Sequence, residues 1–434
     1  TLALTRGLVA VAAGDPREAR RHAMRAQQLL EGSPLAQLLE AQTAQLEGDE
    51  AAVETHYRAM LNSPETAFLG LRGLFMQALK RGDHKAALSL AERAYGMRSK
   101  TPWALHALFD LKTRMRNWPG AAEALNAQTR AKIIDAGVAK RRRAVLLASE
   151  AQERLAGGDQ AGALSLSLEA LSLAPGLMPA AAMAAKLLAG EGRAWRAADV
   201  IEAAWSHAPH PDLAALYAAL KPDEGVAARA KRFAGLIDLN PEHPESRLLA
   251  AAQAVATKDF GKARAAIAPL LSPAPTACVC VTMADIEQAE SGDAQKAREW
   301  MARSLRARRD TYWFCAHCGK PSAVWMAVCE GCQSFDTLGW KVPAEPVLAK
   351  AGEGVELDLD KLLYREAPVM GGEPSSTPSA PVARPVPAIR PVPATRPEII
   401  APAPVLPRQP DDPGPEVGHD DYGALKTTRG TQAW

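Results

Sequence analysis

Four cysteines carry the most specific chemistry in the sequence. Cys315, Cys318, Cys329 and Cys332 form two C-x2-C pairs separated by ten residues. A C-x2-C turn aims two thiolates at one point, and two such knuckles complete a tetrahedral four-sulfur site. Gly319, directly after the first pair, permits the backbone turn that a knuckle needs. An all-cysteine shell leaves no open position, so the spacing predicts a structural metal, zinc in preference to iron. Thioredoxin-like redox chemistry needs a β-α-β pattern around the motif, and c-type haem attachment needs His where Gly319 stands. Two disulfides would require an oxidising compartment.

The metal module is expected to run from Tyr312 to Pro343. So short a segment cannot fold on a core of its own, and ligation would supply the missing stability. Trp313, Trp325, Phe335, Leu338 and Trp340 are the residues expected to cover the site. Cys278 and Cys280 lie two apart in an apolar segment and would point to opposite sides of a helix. They read as buried core thiols rather than ligands. His207 and His210, in a turn punctuated by Pro209 and Pro211, read as loop residues.

A repeat must position this module. The pairs Gly14-Asp15, Gly48-Asp49 and Gly82-Asp83, followed by Asn117, are each 34 residues apart. The series resumes at Gly158-Asp159, Gly192-Arg193, Asp259 and Gly292-Asp293, with a degenerate member near Gly225. Small or compact apolar residues follow at fixed offsets: Ala19, Val53, Ala87, Ala121, Ala163, Ala197, Ala263 and Ala297, then Ala26, Ala94, Ala170, Ala204 and Ser304. Such a stripe lets neighbouring helices approach closely. Pro175, Pro209 and Pro241 stop the second helix of their pairs. The fold class is therefore all-α, a tetratricopeptide-like solenoid. The interval from Asn117 to Asp159 is eight residues too long and holds Lys140, Arg141, Arg142 and Arg143. These four read as a solvated face, with an acidic partner or anionic lipid as the alternative.

Composition agrees with a helical protein. The 434 residues carry 51 Lys plus Arg against 49 Asp plus Glu, a net charge of +2, which argues against a nucleic-acid partner. Aromatic residues are only 5%, so Ala and Leu must build the core. Beyond Pro343 the character changes. Prolines crowd together, Arg384, Arg390 and Arg396 recur every six residues, and 13 acidic residues outnumber 9 basic ones. The expected organisation is a helical repeat array over 1–310, a rubredoxin-like or zinc-ribbon module over 311–343 and a disordered Pro-rich tail over 344–434. Val355 to Tyr364 and Asp420 to Trp434 are candidate docking motifs in that tail. No signal peptide or membrane span is evident. The sequence begins at Thr1 rather than Met and is expected to be a processed or truncated product.

Two stretches carry a family resemblance. Ala3-Leu4-Thr5-Arg6-Gly7-Leu8, through Gly14-Asp15 to Arg25-Ala26, resembles the opening repeat of HemY-family proteins of proteobacteria. The segment from Cys315 to Pro343, with Phe335-Asp336-Thr337-Leu338 and Trp340, resembles the C-terminal metal module of the alphaproteobacterial members. The lipopolysaccharide-assembly scaffold LapB is similar in plan. The resemblance implies a role in a late step of haem biosynthesis at the bacterial inner membrane. It also implies an upstream membrane anchor and a cytoplasmic soluble part. The flavin-dependent oxidase that shares the name needs a G-x-G-x-x-G after a strand, which is absent. The leading expectation is a non-catalytic scaffold holding a protein or peptide, such as a haem-pathway enzyme, in its concave groove. The alternatives are a haem or porphyrin carrier, a lipopolysaccharide-assembly type of scaffold and a rubredoxin-like electron-transfer protein.

Overall fold

The computed structural model of the protein describes residues 2–30 and 32–342. The Pro-rich tail and its two candidate docking motifs lie outside the described residues. Among the described residues eighteen α-helices follow one another as nine pairs: α1 Leu2–Ala13 with α2 Pro16–Leu29, α3 Pro34–Glu47 with α4 Glu50–Met60, and α5 Ala67–Lys80 with α6 His84–Met97. There follow α7 Pro102–Arg114 with α8 Trp118–Arg130, α9 Ala136–Ala156 with α10 Gln160–Leu173, and α11 Met178–Gly190 with α12 Ala194–His207. The last three pairs are α13 Pro211–Ala219 with α14 Val226–Asp238, α15 Pro244–Ala256 with α16 Phe260–Ile267, and α17 Ala277–Ser291 with α18 Ala294–Ser304.

The recurring turn explains why each pair closes. Gly14, Gly48, Gly82, Gly158, Gly192 and Gly292 have φ between 64° and 86°, in the left-handed region where glycine is least strained. Arg116 and Lys258 take the same conformation in two of the three pairs that lack this glycine. The next residue caps the second helix. Asp49, Asp83, Asn117, Asp159 and Asp259 each accept one backbone N–H bond through the side chain; Asp15 and Asp293 each accept two. Arg193 and Gly225, the irregular members of the series, make no side-chain cap.

The small-residue stripe is buried where helices meet. Ala19, Ala87, Ala121, Ala163, Ala197 and Ala263 are fully buried, as are Ala26, Ala94 and Ala170. Ala297 and Ser304 depart from this pattern: α18 has no buried residue, because among the described residues no further pair stacks on it. The eight extra residues of the long interval all go into α9, which has 21 residues against 13 in α7. That lengthens α9 by about 12 Å. Lys140–Arg143 sit in its first two turns.

First helices pack on one another at α1 with α3, α11 with α13 and α15 with α17, while the second helix of most pairs packs on the first helix of the next. These first helices are here called the inner layer, and the second helices the outer one. After α18 the chain makes a three-stranded antiparallel sheet in the order β2-β1-β3, with β1 Tyr312–Cys315, β2 Pro321–Ser322 and β3 Leu338–Lys341. The sheet and the helices belong to one compact unit. One buried cluster runs from Phe75 in α5 through Leu146 and Trp205 to Phe233 in α14 and continues into Trp313, Trp325 and Leu338. Smaller separate clusters lie at the two ends, around Leu4, Ala26 and Leu39 and around Ala251, Ile267 and Ile286.

Candidate metal centre

Two knuckles of matching geometry bring the four cysteines together. In the first, Cys315 N–H donates to Lys320 O at 2.9 Å and Gly319 N–H returns to Cys315 O at 2.8 Å. In the second, Cys329 N–H donates to Ser334 O at 3.0 Å and Gln333 N–H returns to Cys329 O at 2.9 Å. Gly319 has φ 73°, as its turn requires, and Gln333 holds the equivalent position at φ 57°. The backbone N–H groups of His317 and Gly331 point at the sulfurs of Cys315 and Cys329, at 3.4 and 3.3 Å.

All four sulfurs lie within 4.8 Å of one another. Cys315 Sγ and Cys332 Sγ are 3.6 Å apart, and Cys318 Sγ and Cys329 Sγ are 3.7 Å apart. A zinc ion with bonds of about 2.3 Å to four tetrahedral thiolates needs edges of roughly 3.8 Å. The donor set therefore fits a metal ion of that kind. Burial resists ionisation of Cys315, yet hydrogen bonds with the Thr337 hydroxyl and the backbone N–H groups of Cys318 and His317 outweigh it and hold its thiol well below the ordinary range. Burial pushes Cys318 and Cys329 up. One sulfur is thus ready to make the first bond, and a cation would draw the protons from the rest. Cys315 and Cys329 are buried, while Cys318 is exposed.

The module is seated on the inner layer of the array. Arg141 of α9 donates from Nε and Nη2 to the two carboxylate oxygens of Asp336, both at 3.0 Å. Phe335 meets Phe109 of α7 edge to face, with ring centroids 5.2 Å apart. The guanidinium of Arg142 lies 5.1 Å from the Phe109 ring centroid. The basic run is therefore not simply a solvated face: the lengthened helix carries Arg141 to the module. Phe335 and Trp340, two of the residues expected to cover the sulfurs, also reach across to the array.

His210 corrects a second expectation. It is a buried side chain, 3% exposed, and not a free loop residue. It caps α13, accepting the Asp212 N–H at Nδ1 at 3.1 Å. That bond fixes Nδ1 as the acceptor and leaves the proton on Nε2. The ring stacks on Trp313 at 5.7 Å and meets Trp340 in a tilted contact at 4.2 Å. Burial, only partly offset by Asp212, lowers its pKa to about 4, so it is neutral here. His243 caps α15 in the same way, accepting from Glu245 N–H at 3.2 Å. His-Pro-acid thus occurs twice, at the starts of two neighbouring inner helices. His207 is the ordinary surface residue of the pair: its ring lies 2.9 Å from the Ser206 hydroxyl. Cys280 is buried as expected, but Cys278 is exposed. Residues two apart on a helix face opposite ways, so only one of the two can enter the core.

No helix among the described residues is long and apolar enough to cross a membrane. Residues 1–48, the first helical pair and α3, match the family described as HemY protein N-terminus. The chain is 32% identical over 243 residues to the probable magnetosome protein Mms48 of Magnetospirillum gryphiswaldense, covering 55% of this chain and 54% of that protein. It thus spans about half the length of the curated relative it matches. Among solved structures it is similar to Naa15/Naa10 bound to HypK-THB, with 10% identity, a TM-score of 0.35 and coverage of 70% of this chain and 58% of that one. It is also similar to a tetratricopeptide repeat protein from Parabacteroides merdae, with 14% identity, a TM-score of 0.30 and coverage of 70% and 97%. A segment that matches the HemY N-terminus thus stands at the head of nine tetratricopeptide-like helical pairs among the described residues.

Proposed function

We propose that this protein is a non-catalytic scaffold whose inner helical layer holds protein partners, working beside a late step of haem biosynthesis at the bacterial inner membrane. One observation carries the reading: the inner layer already grips a protein surface, through the Arg141–Asp336 pair, the Phe109–Phe335 contact and the His210 stack. A solenoid that presents charged and aromatic groups along one continuous face is suited to recognition rather than to bond making. The haem assignment rests on the family match over residues 1–48. The natural partners under this reading are membrane-bound enzymes of the haem pathway.

Cys315, Cys318, Cys329 and Cys332 are the ligands of a structural zinc ion in this reading. Four thiolates saturate zinc and leave it no site for substrate, so its part is to hold the two knuckles together. Phe335, Asp336 and Trp340 then stand rigidly in place against the array.

The test is co-purification of the full chain from native membranes, with metal analysis of the same sample. The expected result is one zinc per chain, a haem-pathway enzyme recovered in fixed proportion, and no conversion of any tetrapyrrole by the purified chain. Turnover of a tetrapyrrole by the purified chain overturns the scaffold reading. Iron in place of zinc overturns the structural-metal reading.

A further inference from the structure

The module is seated across the first helices of several pairs. Its contacts fall on Phe109 of α7, Arg141 of α9 and His210 at the start of α13, all in the inner layer. We propose that this stretch of the inner face is a recognition surface for a partner segment carrying an aromatic residue followed directly by a carboxylate, with a second aromatic five residues after the first. In this structure the chain's own Phe335-Asp336 and Trp340 fill that surface, so a partner gains it only when the module lets go. The proposal rests on the scaffold reading and names the chemistry of its partner.

Three features support it. The first is charge complementarity. Lys140, Arg141, Arg142 and Arg143 make this part of α9 basic, with Arg143 paired to Glu169 at 3.8 Å, and Asp336 meets Arg141 through a two-point hydrogen bond. Second, the aromatic subsite is built on both sides. Phe109 takes the edge contact of Phe335 while Arg142 lies over its ring, so an incoming phenyl group meets both an apolar and a cationic neighbour. Third, Asp336 has φ 52°, a left-handed conformation that non-glycine residues adopt at a cost. The seated module holds its carboxylate out in a strained backbone, and a partner segment in a relaxed one would compete with it on favourable terms. The link to the four-sulfur site follows: Asp336 N–H donates to Ala327 O at 2.7 Å, and Thr337 touches Cys315 Sγ, so the knuckles set the pose of the anchor residues.

The probe is a fluorescein-labelled nonapeptide with the sequence Gln333–Lys341, which contains all three anchors and no cysteine. Its fluorescence anisotropy is measured with three full-length chains: the zinc-loaded wild type, the Phe335→Ala/Asp336→Ala/Trp340→Ala variant, and that variant with Arg141→Glu added. Far-ultraviolet circular dichroism confirms that the helical array persists in each. Freed of its internal competitor, the triple variant should bind the probe about ten-fold or more tightly than wild type, because the apparent affinity scales with the fraction of open surface. Adding Arg141→Glu should abolish the gain, and stripping zinc from the wild type with a chelator should reproduce it. Equal binding by wild type and triple variant overturns the proposal, as does binding that survives Arg141→Glu. If a haem-pathway enzyme still co-purifies with the chain, the scaffold reading stands while this inference falls.

Discussion

Arg141 and Asp336, 195 residues apart in the chain, face each other through two parallel hydrogen bonds of 3.0 Å. Asp336 is the more buried partner, 15% exposed against 42% for Arg141. The pair is therefore partly shielded, and it joins the two most distinct parts of the described chain. Removing one partner leaves a half-buried charge without its mate, whereas a surface pair would contribute little.

Arg141→Ala should loosen the module by about 1–2 kcal/mol. The exchanged pair Arg141→Asp/Asp336→Arg should recover part of that loss. Limited proteolysis between α18 and β1, scored against wild type, measures it; unchanged cleavage in Arg141→Ala would show that the pair does not hold the module down.

Loss of one ligand should undo the module and leave the array. Cys315→Ser or Cys329→Ser is expected to lower zinc below one per chain and to cost several kcal/mol of local stability, since ligation and folding of so small a lobe are one event. Mass spectrometry under native conditions reports the metal, and tryptophan emission reports Trp313 and Trp340 leaving their contacts with His210.

Acid should weaken the docking through His210. Its pKa is about 4 in the folded chain and about 6.5 when free, so the unseated form binds more protons between those values. The contribution is therefore complete above about pH 6.5 and is lost as the pH falls toward 4. His210→Asn keeps a capping acceptor for Asp212 N–H but cannot titrate. Its module should detach with a flatter pH dependence, followed by tryptophan emission while zinc is assayed on the same samples. Parallel profiles for the two chains would rule His210 out as the titrating group.

The missing cap at α12 offers a gain of stability. Arg193 stands where seven other pairs have a capping Asp or Asn, and it makes no side-chain cap. Arg193→Asp should add about 1 kcal/mol by satisfying a free N–H of the first turn. Conversely, Asp83→Ala should remove a similar amount, because Asp83 accepts from Ala86 N–H at 2.9 Å. Thermal melts followed at the helical band would register both, with opposite signs.

The repeat was readable because its signals are local. A left-handed glycine and a capping Asp must lie next to each other, and the small residues they position recur at helical spacing. The knuckles were readable for the same reason: Gly319 and its cysteines act within one turn. The seat of the module was not. Arg141 looked like one of four equivalent basic residues, and nothing near it in sequence names Asp336 as its partner. His210 looked like a turn residue because its role as a helix cap and its burial under two indoles depend on β1 and β3 arriving from a hundred residues away. Two signals could have narrowed the search. The eight surplus residues had to lengthen some element, and His-Pro-acid occurs twice with one spacing inside the helical capping pattern.

The buried cluster that crosses from α5–α14 into Trp313, Trp325 and Leu338 ties the four-cysteine lobe to distant helices. In a stack where each pair leans only on its neighbours, melting ordinarily proceeds piecewise. Here the middle pairs share their interior with the four-cysteine lobe, so any free energy of ligation at that lobe would be passed to them by mass action. The centre of the superhelix should melt later as zinc activity rises, while the terminal pairs around Leu4 and Ile286 keep their own, metal-blind transitions.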